Sequence, residues 1–212
     1  MAEMKRWVII GAGPISEYEK IKAKLNDNDF ICCADGGTKH LSSLGISPDL
    51  VMGDFDSSQE NAFDCEILTF PVEKDDTDML LALKEGIKRG GRSFLLIGGT
   101  GGRLDHTFAN FQTLLYAEKH GASAALCDEN NFAFILKNDT AFIEKNEGEK
   151  VSLFAFDGPV GGVSLEGFYY PLKNASLFGH YPLAISNFII SDKGRITVSK
   201  GTLLVIISNE NQ

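Results

Sequence analysis

Through residue 127 the chain alternates short apolar runs with amphipathic stretches. Trp7–Ile10, Phe30–Ala34, Leu50–Met52, Glu66–Phe70 and Ser93–Ile97 read as strands, with residues 122–127 and 132–136 adding two more. Between them, Ile15–Leu25 and Thr38–Leu44 read as helices, and a third helix carries Leu80, Leu83 and Ile87 on one side. A fourth follows Gly102, with Leu104, Phe108, Phe111 and Leu115 expected on its core face. Strands alternating with helices predict an α/β domain: a mostly parallel sheet with helices on both faces. After about residue 138 the period changes. Ala141–Glu144, Val151–Phe156, Val163–Leu165, Phe168–Leu172, Ile185–Ile190, Arg195–Ser199 and Leu203–Ser208 are short strand candidates, and no long helix remains. This predicts an all-β sandwich or small barrel, and hence two domains, 1–138 and 139–212.

Composition narrows the class of partner. The chain has 212 residues and a net charge of -9, which gives no general attraction to nucleic acid or to anionic membranes. Its apolar runs are far too short to span a bilayer, and Gly11 and Pro14 interrupt any signal-type segment near the start. The four cysteines, at 32, 33, 65 and 127, show neither a CxxC pair nor a zinc-like spacing. Buried thiols in a reducing cytoplasm are the expectation.

Candidate chemistry lies where strands end. Gly11-Ala12-Gly13-Pro14 follows the first strand, although Pro14 offers no amide proton and no Walker lysine follows. Asp35-Gly36-Gly37 follows the second. Asp54 and Asp56, two apart, leave one side of an extended segment after the third. Asp75, Asp76 and Asp78 precede the apolar run from Met79 to Ile87, and Thr77 or Asp76 can cap that helix. Gathering so many carboxylates is costly unless cations or protons offset the repulsion, so a hard divalent cation with phosphate beyond it is one explanation. Solvated turn aspartates are the other. Lys74 neutralises this cluster or reaches a phosphate. Gly98-Gly99-Thr100-Gly101-Gly102 then leads into Arg103, Asp105 and His106, where an arginine can grip phosphate through paired donors. His40, His120 and His180 show no metal-site spacing. Strand ends of such a sheet share one edge, so Asp35, Asp54, Asp78 and Arg103 can converge.

Together, Ala34-Asp35-Gly36-Gly37, Gly53-Asp54-Phe55-Asp56-Ser57, Lys74-Asp75-Asp76-Thr77-Asp78 and Gly101-Gly102-Arg103-Leu104-Asp105-His106 closely resemble the thiamine pyrophosphokinase family. Glu166-Gly167 and Ser186-Asn187 fit that family's β domain, so the resemblance covers nearly the whole chain. It implies transfer of the terminal pyrophosphoryl unit of ATP to the hydroxyl of thiamine, giving thiamine diphosphate and AMP. It also implies a homodimer with thiamine held between subunits. Asp54, Asp56 and Asp78 resemble the Mg2+ site, and Asp75 or Asp78 the group that accepts the hydroxyl proton. Asp35, Gly36, Lys74, Thr77, Gly102, Arg103, Asp105 and His106 fall on the ATP side, with Arg103 as phosphate ligand. Ser186 and Asn187 fall on the thiamine side. Rival readings are a pyrophosphokinase acting on a hydroxymethyl pterin or another heterocyclic alcohol, and a nucleotide or thiamine binder without catalysis.

Overall fold

The structure is a computed structural model that describes residues 5–53, 63–69 and 75–209. The chain divides into two compact units, 1–129 and 130–212. The division falls before the expected boundary at 138, because residues 131–137 form a strand of the second unit.

In the first unit β1 (Trp7–Ile10), β2 (Phe30–Ala34), β3 (Leu50–Gly53) and β4 (Glu66–Thr69) run parallel in that order, each paired with the next. The chain then crosses to the other side of β1, where β5 (Ser93–Ile97) and β6 (Ser123–Cys127) continue the parallel sheet. Every residue of β1 and β3 is buried. Burial at consecutive positions means that both faces of the sheet are covered, as continuous apolar runs require of a parallel strand.

The helices differ in detail from the sequence expectation. The helix expected over Ile15–Leu25 is reduced to α1 (Tyr18–Lys22): Glu17 before it has φ -119° and ψ 81°, outside the helical region, and the Glu129 carboxylate accepts from the amides of Ser16 and Glu17. A 3-10 helix over Asp35–His40 precedes α2 (Leu41–Leu44). Gly37 is buried in that 3-10 helix, and a Cβ there would lie 1.9 Å from the Ile10 carbonyl oxygen. Only glycine lets the helix sit this close to β1. α3 (Asp78–Lys88) is capped by Thr77, whose Oγ1 accepts from the Leu80 amide at 3.3 Å. Asp76 does not cap it and pairs instead with Lys84, at 2.6 Å.

The largest correction concerns α4 (Leu104–Lys119). Its buried face is Asn110, Thr113, Leu114 and Ala117, while Leu104 and Phe108 of the expected apolar stripe are 85% and 57% exposed. The inward face is partly polar because it serves the backbone beside it: Asn110 Nδ2 donates to the Gly99 carbonyl at 2.7 Å. Hydrophobic spacing alone therefore picks the wrong side of this helix.

The second unit is all antiparallel. β12 (Ala184–Asn187), β9 (Glu149–Ala155), β14 (Thr202–Asn209) and β7 (Asn131–Lys137) form one sheet in that order. β11 (Leu172–Leu177), β10 (Val160–Glu166), β13 (Lys193–Thr197) and β8 (Thr140–Glu144) form the other. Leu153, Val205 and Leu136 of the first sheet share a core with Val163, Ile196 and Leu177 of the second, which makes the unit a sandwich. The strand expected over Phe168–Leu172 starts only at Leu172, after Pro171, which has no amide for a ladder.

Candidate active site

Loops leaving β1 and β5 lie on either side of the point where the strand order reverses, and a cleft of about 290 Å³ opens there. Open α/β sheets bind ligands at such a switch point, outside the carboxyl ends of the strands. Gly11, Ala12 and Gly13 line the cleft after β1, and Asp35 lines it after β2. Gly98, Gly99 and Thr100 line it after β5. Thr77 and Asp78 at the start of α3, and Gly102, Arg103 and His106 at the start of α4, line the same space.

The two glycine loops touch backbone to backbone. Gly11 N donates to the Ile97 carbonyl and Gly13 N to the Gly98 carbonyl, each at 2.8 Å. Gly98 has φ 65°, and a Cβ on it would come 2.5 Å from the Gly11 oxygen, so this contact requires glycine. Side chains brace both loops from outside the cleft wall. Thr100 Oγ1 donates to Asp128 at 2.8 Å. Burial raises the pKa of the Glu129 carboxyl, but bonds from Ser16 and Glu17 outweigh that and leave it below its ordinary value.

Arg103 is exposed and bonds both oxygens of Asp105, at 2.5 and 3.1 Å. That ion pair holds the Asp105 carboxyl below the usual carboxylate range, helped by the His106 amide. A phosphate reaching Arg103 competes with Asp105 for the same guanidinium face. Asp35 adopts φ 47°, a left-handed conformation uncommon outside glycine, at the point where β2 turns into the cleft.

Of the residues singled out in the sequence, Asp35, Thr77, Asp78, Gly102, Arg103 and His106 line this one cleft. Gly36 and Asp105 are chain neighbours of lining residues, and Asp75 is exposed at the start of the same turn. Asp54, Asp56 and Lys74 lie outside the described residues. Among the described residues no group of three or more carboxylate, imidazole or thiol side chains forms a metal cluster. Ser186 and Asn187 belong to the sandwich. Ser186 is exposed with φ 56°. Asn187 is buried and bonded through both ends of its amide: its Oδ1 accepts from the Tyr170 and Phe188 amides at 3.0 and 2.9 Å, and its Nδ2 donates to the Tyr170 carbonyl at 2.7 Å. Sequence reasoning missed His40 and Lys39, whose contacts hold Gly13 and Ala12. Tyr169 and Tyr170, which strand alternation favours as core residues, are exposed beside Asn187, where Tyr169 stacks on Phe188 at 4.6 Å and meets Tyr170 edge-on.

A cleft at the switch point of a parallel α/β unit, followed by a β-sandwich, defines a two-domain α/β enzyme plan. The family model for the thiamin pyrophosphokinase catalytic domain matches residues 21–126. The model for the thiamin pyrophosphokinase vitamin B1 binding domain matches residues 140–203. The chain belongs to the thiamin pyrophosphokinase family. A thiamine pyrophosphokinase of Bacillus subtilis (strain 168) is 30% identical over 98% of this chain and 100% of the relative. A crystal structure of thiamine pyrophosphokinase from Bacillus subtilis matches with TM-score 0.86 and 29% identity, covering 97% of this chain and 100% of that one. The yeast thiamin pyrophosphokinase structure, at 14% identity, shares the fold with TM-score 0.80 over 99% of this chain and 87% of that one.

Proposed function

We infer that the cleft of the first unit binds ATP and that the chain transfers its pyrophosphoryl group to the hydroxyl of thiamine. The carrying observation is that both family domains match this chain in order, with the cleft lining from Ala34 to Asn110 inside the catalytic match and Gly11–Gly13 just before it. Asp35 and Asp78 put carboxylates on the cleft, a donor set that suits a hard cation such as Mg2+. Asp78, with Asp54 and Asp56, would hold it. When bound, Mg2+ screens phosphate charge and orients phosphate oxygens.

The protein's own groups then have distinct tasks. Arg103 leaves Asp105 for the phosphates and stabilises charge on the transferred group. Lys74 adds positive charge, while Gly36, Thr77, Gly102 and His106 shape the ATP side. The thiamine hydroxyl oxygen bonds to the β-phosphorus, the bond from that phosphorus to the α–β bridging oxygen breaks, and AMP leaves. Asp75 takes the hydroxyl proton, since Asp78 is committed to the cation. Ser186 and the segment held by Asn187 serve the thiamine side. The acceptor site is completed in a homodimer, for which exposed Tyr181, Leu183, Ile185 and Ile190 on the sandwich supply apolar surface.

The test is AMP release by purified protein with ATP, Mg2+ and a panel of thiamine and hydroxymethyl pterin. AMP together with thiamine diphosphate, lost on chelation and in Asp54→Asn or Asp56→Asn, is the expected result. Preference for the pterin overturns the acceptor, and no AMP with either acceptor overturns catalysis.

A further inference from the structure

Lys39 and His40 end the 3-10 helix that follows β2. His40 is 2% exposed although its ring is polar, and both of its nitrogens are used. Nε2 lies 2.9 Å from the Gly13 carbonyl oxygen, which can only accept, so Nε2 carries a proton. Nδ1 lies 2.9 Å from the Tyr18 hydroxyl, which donates to it when the ring is neutral. The neighbouring side chain does the same for the preceding peptide: Lys39 Nζ donates to the Ala12 carbonyl at 2.5 Å. Two consecutive carbonyls of the loop after β1 are thus occupied by two consecutive side chains of the 3-10 helix. That helix begins at Asp35, itself on the cleft.

We propose that His40 and Lys39 are positioning residues that set the Gly11–Gly13 wall of the cleft for the polyphosphate of the donor nucleotide. Bare carbonyl oxygens repel an anion, and these two are neutralised by donors before any ligand arrives. Because Gly13 N is bonded to the Gly98 carbonyl, the hold on Gly13 reaches the loop after β5 as well. Neither side chain lines the cleft, so their effect passes through the backbone of the loop. A shift of that backbone by about 1 Å is enough to cost up to roughly a hundredfold in a positioned reaction. The inference rests on the assignment of the cleft to ATP.

The experiment compares His40→Asn, His40→Gln and Lys39→Met in the full-length protein. The glutamine amide nitrogen reaches the place of Nε2 and keeps the donor to Gly13; the asparagine amide falls short of it. Expected for His40→Asn is an ATP KM raised about tenfold with thiamine KM within about twofold. Amide hydrogen exchange at Ala12 and Gly13 speeds up in the same variant without ligand. His40→Gln restores both readouts, and Lys39→Met, an exposed change that leaves the core untouched, moves them in the direction of His40→Asn. Unchanged exchange in folded His40→Asn and Lys39→Met overturns the bracing itself. Faster exchange with unchanged ATP KM overturns the positioning role, whereas no protection of Ala12 and Gly13 by ATP in the native protein overturns the ATP assignment of the cleft on which it rests.

Discussion

Arg103 shows how a single side chain can be both structural and poised. In the absence of phosphate its guanidinium is satisfied by Asp105, in an exposed pair that adds little to stability. On the proposed phosphate role, removing it affects ligand more than fold. Arg103→Ala is expected to raise the ATP KM about tenfold or more, with thiamine KM and the thermal midpoint nearly unchanged. Steady-state kinetics with each substrate varied in turn reads this, and an unchanged ATP KM would remove Arg103 from the phosphate side. His40 makes a different prediction. Burial lowers its pKa from the ordinary 6.5, against the pull of the Gly13 carbonyl and with the charge of Lys39 beside it. The folded state therefore binds fewer protons than the unfolded chain below that value. Its contribution is full above about pH 6.5 and is lost as pH falls toward the folded pKa. Urea midpoints followed from about pH 7.5 down to pH 5 should fall in the native protein, and less steeply in His40→Gln.

At the scale of elements, the start of α3 joins stability to the site. Thr77 caps the helix and lines the cleft, and Asp78 follows it in the first turn, where the helix field favours a carboxylate. Thr77→Ala should cost about 1 kcal/mol in urea unfolding, and Thr77→Ser should recover most of it. A loss of activity in Thr77→Ala that Thr77→Ser does not restore would mean that the methyl group, not the cap, matters at the cleft. α4 carries the opposite lesson. Its apolar spacing pointed Leu104 and Phe108 inward, but the glycine loop beside it presents a backbone carbonyl that needs a donor. Asn110 meets that need, and the helix turns accordingly. Strand positions were readable because central parallel strands are apolar at every residue; helix faces were not, because the partner of each face lies elsewhere in the chain.

For the whole molecule, the exposed Tyr181, Leu183, Ile185 and Ile190 of the sandwich fit the proposed homodimer. Sedimentation equilibrium should give twice the chain mass of 23.1 kDa. Leu183→Glu combined with Ile185→Glu should shift it toward monomer and lower turnover together, whereas a monomer with full activity would separate assembly from catalysis. Cys32, Cys33 and Cys127 are buried and unpaired by disulfides, and burial pushes the Cys127 thiol up to about 11, as expected of packed rather than reactive thiols.

The order of apolar runs and turns was enough to define an α/β unit followed by an all-β unit, because hydrophobic period is a local property of the chain. The acidic and glycine-rich motifs were likewise visible as strings, and with them the family. Three things were decided only by the tertiary structure. One is the crossing from β4 to β5, which sets the loop after β1 against the loop after β5 and opens the cleft where Asp35, Asp78 and Arg103 were expected to converge. Another is the use of Asn187 to hold Tyr170, which no spacing announces. The third is the clasp of Lys39 and His40 on the loop after β1. Each depends on contacts between residues far apart in sequence, and a hydrogen-bond partner is chosen by proximity in space, not by position in the chain.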